Sequence, residues 1–164
     1  LKSYSEDLKT WLFEEESFVP LALIQDGKAY SIVCDQLGTT TEAYDEEGKE
    51  VWYRRLDMNG QILEETQPGL NPEGYVSIPF LLQGQYYDYE TGLAYNRFRY
   101  YDPELGRYIS QDPICFASGI LSLHSYVEDT NQIIDPLGLI HLNKLTAKAN
   151  FKLYIIYEDE TKKF

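Results

Sequence analysis

Short apolar and β-prone runs alternate with polar turn signals along most of the chain, the pattern of strands joined by tight turns. Leu21 to Ile24 and Tyr30 to Val33 flank Asp26-Gly27, a two-residue hairpin signal. Turns follow at Gly38, Gly48 and Asn59-Gly60, the last between Val51 to Leu56 and Gln61 to Glu64. Two prolines and two glycines between Pro68 and Gly74 predict a loop. An aromatic, strand-like stretch then runs from Phe80 to Ile114. Ile120, Leu123 and Val127 fall near helical spacing, which predicts one short helix near 120–128. Beyond it, the pattern suggests a weak helix from Leu142 to Ala149 and a strand in Phe151 to Tyr157.

One unit recurs. Tyr44-Asp45 leads to Gly48, Asp57 to Gly60, Tyr87-Asp88 to Gly92, and Tyr101-Asp102 to Gly106. Asp can bond its own backbone to start a turn, and Gly supplies the positive φ that finishes it. Each unit is therefore a hairpin, and serial hairpins make one long sheet. Such a sheet cannot bury its inner face alone, so it must curl, stack or belong to something larger. The expected fold class is mainly β, a wall of serial hairpins.

Composition agrees with that expectation. Of 164 residues, 15% are aromatic and 15 are Tyr, a residue that packs its ring while its hydroxyl stays hydrogen-bonded. The net charge of -13 argues against nucleic-acid binding by this portion, because an acidic surface repels phosphate. The charge is uneven: the first 139 residues carry -15 and the last 25 carry +2. Cys34 and Cys115 are too few and too far apart for a disulfide framework or a metal site, and both read as small buried residues. No cofactor is expected. No apolar run reaches membrane-span length. A chain opening at Leu1 reads as a fragment, and with no basic-then-apolar leader at its start it is expected to be made in the cytoplasm.

Residues Gly84 to Ile114, GQYYDYETGLAYNRFRYYDPELGRYISQDPI, resemble the RHS repeat-associated core of YD-repeat proteins almost without gaps. Ile134 to Leu139, IDPLGL, is similar to that family's terminal signature, and the resemblance extends over roughly Thr10 to Leu139. It divides the chain into a YD-repeat-like segment (1–83), the core (84–139) and a variable tail (140–164).

The resemblance implies a polymorphic toxin used in competition between bacteria and related to the C component of insecticidal Tc toxins. Its YD repeats form a hollow β shell around a C-terminal toxin, and its core domain is an aspartyl autoprotease. The implied partners are the upstream shell, the toxin tail, an immunity protein and the secretion machinery, with the product delivered out of the producing cell. Asp112 and Asp135, each in an Asp-Pro pair, are the implied catalytic carboxylates, with cleavage between Leu139 and Ile140. Two adjacent carboxyls suit hydrolysis because close like charges do not ionise together easily, leaving one to activate water and one to donate a proton. Arg107 is a candidate to orient a carboxylate or stabilise the oxyanion, or else a structural ion pair.

Some residues depart from the family's pattern. Cys115-Phe116 stand where Gly-Leu is usual, and the 25-residue tail is short for an independent core. These favour the alternative of a non-catalytic structural or binding remnant. A thiol nucleophile built from Cys115 and His124 is the weaker chemical reading.

Overall fold

The structure is a computed structural model that describes residues 8–66, 75–114 and 122–139, and the backbone of 142–143. Among these residues every regular element is a β-strand. Six strands form one meander: β1 (Lys9–Phe13), β2 (Pro20–Gln25), β3 (Lys28–Cys34), β4 (Thr40–Tyr44), β5 (Glu50–Leu56) and β6 (Ile62–Glu65). Four more form a second: β7 (Tyr86–Asp88), β8 (Leu93–Asn96), β9 (Arg99–Asp102) and β10 (Arg107–Tyr108). A two-stranded ribbon joins β11 (Ile133–Ile134) to β12 (Leu142–Asn143). All neighbours are antiparallel and sequential within each sheet. The serial hairpins thus build two sheets rather than one continuous sheet.

The turns follow the Asp–Gly logic closely. Asp35, Asp45 and Asp57 each accept two backbone N–H bonds through Oδ1, at 2.8–3.0 Å, from the residues two and four positions on. In each unit the glycine N–H then bonds back to the aspartate carbonyl at 3.1 Å. A register shift sits just before each aspartate, at Cys34, Tyr44 and Leu56, so every unit pairs a bulge with a turn. The Asp26-Gly27 hairpin has both residues at positive φ (53° and 73°), as a type I′ turn requires.

Alternation along the strands places a continuous row of side chains on one face. Trp11, Leu23 and Tyr30 lie in register across β1–β3, and Ile32, Ala43 and Trp52 across β3–β5. The chain at 75–80 crosses this face and adds Val76 and Ile78 to the same cluster. Arg54, buried on β5, locks the crossing: it donates to the carbonyls of Ile78 and Phe80 (both 2.7 Å), to the Tyr89 hydroxyl and to Glu65. A second cluster of Leu81, Ala94, Tyr101, Tyr108 and Tyr126 lies against the β7–β10 sheet.

No helix occupies the described part of the 120–128 region. Leu123 and His124 form a turn, Ser125 bridges to Arg107, and Glu128 is a bend. The reason is lateral bonding. The carbonyls of His124 and Leu123 accept from the N–H groups of Tyr108 and Asp112, both at 2.9 Å, so they are spent on the neighbouring chain rather than along a helix. Tyr126 meanwhile packs at ring distances of 5.1 and 5.9 Å from Tyr101 and Tyr108. Leu142 and Asn143, expected to open a weak helix, pair as a strand with Ile134 and Ile133. The loop expected at Pro68 to Gly74 and the strand expected at Phe151 to Tyr157 lie outside the described residues, as do Cys115, Phe116 and Ile140. Cys34 is half-buried, with its thiol 3.6 Å from the Pro20 carbonyl.

Candidate active site

Asp112 follows β10 and Asp135 follows β11, and the fold brings them to one buried place, 5% and 0% exposed respectively. What joins them is Arg99, the first residue of β9 and itself 3% exposed. One terminal guanidinium nitrogen lies 3.5 Å from Asp112 Oδ2 and 3.3 Å from Asp135 Oδ2. The other groups of the fork are also used. Arg99 Nε donates to the Gly138 carbonyl at 2.5 Å, and the second terminal nitrogen to the Leu123 carbonyl at 3.3 Å. The guanidinium also stacks on the Tyr108 ring, 3.6 Å from its centroid.

Arg107 does not take this place. It is exposed on β10 and forms none of the ion pairs among the described residues. Strand alternation explains the exchange: Tyr108 faces inward, so Arg107 faces out. Arg99, by contrast, shares the inward face with Tyr101 and pairs with Asn96 on β8. A cation at an inward strand position demands a carboxylate partner, and only the assembled fold supplies the two that Arg99 has.

The segment 135–139 is clamped to the β8–β9 hairpin. Asn96 Nδ2 donates to the Asp135 carbonyl at 2.9 Å, and Phe98 N–H to the Leu137 carbonyl at 3.4 Å. Leu139 N–H donates to Asp135 Oδ1 at 2.9 Å, so the residue before the expected cut is tied to the carboxylate four positions upstream. Two glycines permit the approach. A Cβ on Gly138 would stand 2.6 Å from the Asn96 carbonyl, and one on Gly84 would collide with the backbone of Pro136.

Asp135 Oδ2 also accepts from the Tyr108 hydroxyl at 2.9 Å, and that hydroxyl accepts from Asn96 Nδ2 at 2.8 Å. Asp112 Oδ1 accepts from the Ile114 N–H at 2.9 Å. Burial pushes the phenols of Tyr108 and Tyr126 well above their ordinary value, and the Asp135 charge adds to this at both. His124, the partner in the thiol reading, turns Nδ1 to the Tyr108 carbonyl at 3.2 Å. Among the described residues no group of three or more His, Cys, Asp or Glu could hold a metal ion. No helix among the described residues is long and apolar enough to cross a membrane.

Comparison with known proteins gives the family. The Teneurin YD-shell family model matches residues 2–131. The chain belongs to the YD-shell family. Toxin protein Tse5 of Pseudomonas aeruginosa is 41% identical over 106 residues, covering 65% of this chain and 8% of that protein. Double-stranded DNA deaminase toxin A of Burkholderia cenocepacia is 37% identical over 105 residues, covering 64% of this chain and 7% of that one. The crystal structure of TcdB2-TccC3 superimposes with a TM-score of 0.66 at 24% identity, over 82% of this chain and 7% of the solved one. The YD-shell chain thus spans under a tenth of these relatives, and it is an RHS/YD-shell domain of the kind found in toxin proteins.

Proposed function

We propose that this YD-shell segment closes an encapsulating β shell and cuts its own chain between Leu139 and Ile140, freeing the tail at 140–164. The observation that carries this reading is the Asp112–Arg99–Asp135 cluster, buried and bonded to Gly138 and Leu139. Two carboxyls and one cation around an anchored backbone segment suit acid–base hydrolysis. One carboxylate takes a proton from water as its oxygen attacks the Leu139 carbonyl carbon, and the other carboxyl protonates the carbonyl oxygen. Collapse of the tetrahedral species breaks the C–N bond, and a proton passes to the Ile140 nitrogen. Arg99 holds the carboxyls together and the preceding carbonyl in place.

The change of charge at the same bond, from -15 before it to +2 after it, fits a junction between wall and cargo. Relatives named as toxins, each far longer than this chain, support a product that is made in the cytoplasm and then delivered to a target cell. The toxic chemistry would reside in the released part.

Mass spectrometry of the full-length parent protein tests the reading. The expected result is a break after Leu139 in the wild type and an intact chain for Asp112→Asn and Asp135→Asn. A wild-type chain that stays whole would leave the cluster as a structural clasp on the 135–139 segment, the non-catalytic alternative.

A further inference from the structure

The hydrogen-bond directions around Asp135 can be assigned without seeing a proton. The Asp135 carbonyl can only accept, so the Asn96 atom 2.9 Å from it must be the NH2 group. The same NH2 lies 2.8 Å from the Tyr108 oxygen and donates to it. Tyr108 has one proton, and with its oxygen already accepting, that proton points to Asp135 Oδ2 at 2.9 Å. All three side chains are fully buried, so water does not compete for these bonds.

We infer that Asn96 and Tyr108 form a positioning pair that commits Asp135 to the ionised role in the cleavage proposed above. The assignment rests on that reading. Asp135 is faced by Arg99 from β9, by Tyr108 from β10, by Tyr126 from the 122–130 segment, and by Asp112 across the guanidinium. Its carboxylate accepts from Arg99, from Tyr108 and from the Leu139 N–H. Among the described residues Asp112 is met by Arg99 and by the Ile114 N–H. The Tyr108 proton, aimed by Asn96, goes to Asp135 and not to Asp112. Asp135 is then the carboxylate that takes the proton from water, and Asp112 the carboxyl that protonates the Leu139 carbonyl oxygen.

Two near-isosteric variants separate this role from simple packing. Tyr108→Phe removes the donor. Asn96→Asp turns the Tyr108 proton away from Asp135 by offering it a nearer carboxylate. Each is introduced into the full-length parent chain, made by cell-free translation, and the cut fraction is followed on denaturing gels from mildly acidic to mildly alkaline pH. Both variants are expected to move the acid limb of the rate profile upward by about 1–2 pH units, the value of one hydrogen bond to a charged group. Thermal melts confirm folding, and should Tyr108→Phe fail to fold, Asn96→Asp carries the test. An unchanged profile, or equal slowing at every pH, overturns the assignment. A wild-type chain as intact as Asp112→Asn removes the cleavage reading, and this assignment with it.

Discussion

Arg99 does three jobs with one planar group: it bridges two carboxylates, binds the Gly138 carbonyl and stacks on Tyr108. A lysine offers one compact charge and cannot span these partners. Arg99→Lys is therefore expected to slow cleavage by about 10²-fold or more, the scale of losing one preorganised group at such a site. Arg107→Ala, on an exposed side chain, is expected to leave the rate within about twofold and the stability within about 0.5 kcal/mol. Cut fraction against time in the full-length chain distinguishes them, and equal effects would return Arg107 to the site. Gly84 supplies a second contrast. It stands at φ 88° with its α-carbon against the Pro136 backbone, whereas Gly92 (φ 72°) has open space around it. Gly92→Ala meets only backbone strain, about 1–2 kcal/mol. Gly84→Ala must also push back the 135–139 segment, so it is expected to destabilise more and to reduce cleavage. Chemical denaturation with the cut assay in parallel measures both.

The hairpin unit is the element on which the wall depends, and its stability is local. Asp45 satisfies two N–H groups at an exposed turn, with the glycine closing the ring. Asp45→Ala should cost about 1 kcal/mol, since water can replace the lost acceptor. Asp35→Ala should cost more, because Leu37, Thr39 and Thr40 around that turn are buried. Denaturant midpoints of the two variants test the order. This locality is why the units could be read from the chain at Asp45, Asp57, Asp88 and Asp102: the Asp–Gly spacing carries its own physics. The Asp35–Gly38 unit obeys the same rule, although its Asp follows Cys34 rather than an aromatic residue. The 122–128 segment was illegible for the opposite reason. Its helical spacing is real, but its carbonyls are claimed by β10 and by Asp112, residues no local pattern connects to it. The site divides the same way. Asp112 and Asp135 are marked by the family resemblance and not by Asp-Pro alone, which Asp102 shares, whereas Arg99 gains its meaning only once β8, β9 and the 135–139 segment are assembled.

At the scale of the molecule, buried tyrosines couple the sheets to the site and make the fold sensitive to alkali. Tyr101, Tyr108 and Tyr126 form a mutual ring cluster, all within 4% exposure, under the β7–β10 sheet. Burial raises each phenol well above its ordinary value of 10.0. Tyr89, half exposed where it bridges Arg54 and Glu65, is pushed up to about 12 by desolvation of its hydroxyl and by the Glu65 charge, against the Arg54 cation. The sign of the effect follows from linkage. Below pH 10 both folded and unfolded chains keep these protons, and the stabilisation is fully present. Above it the unfolded chain ionises while the folded one resists, so stability falls as pH rises toward the folded-state values. Each fully buried phenol contributes a slope of about 1.4 kcal/mol per pH unit in that window. Three such groups together can exhaust the 5–15 kcal/mol that holds a typical domain within about one to four pH units. The expected outcome is a cooperative alkaline transition in which phenolate absorbance from the buried rings rises together with loss of the far-ultraviolet β signal. Ionisation of every tyrosine with that signal intact would mean that the Tyr101–Tyr108–Tyr126 cluster opens to water without unfolding. The Tyr108 hydroxyl would then not stay in a dry hydrogen bond to Asp135, so the same titration bears on both the wall and the site it positions.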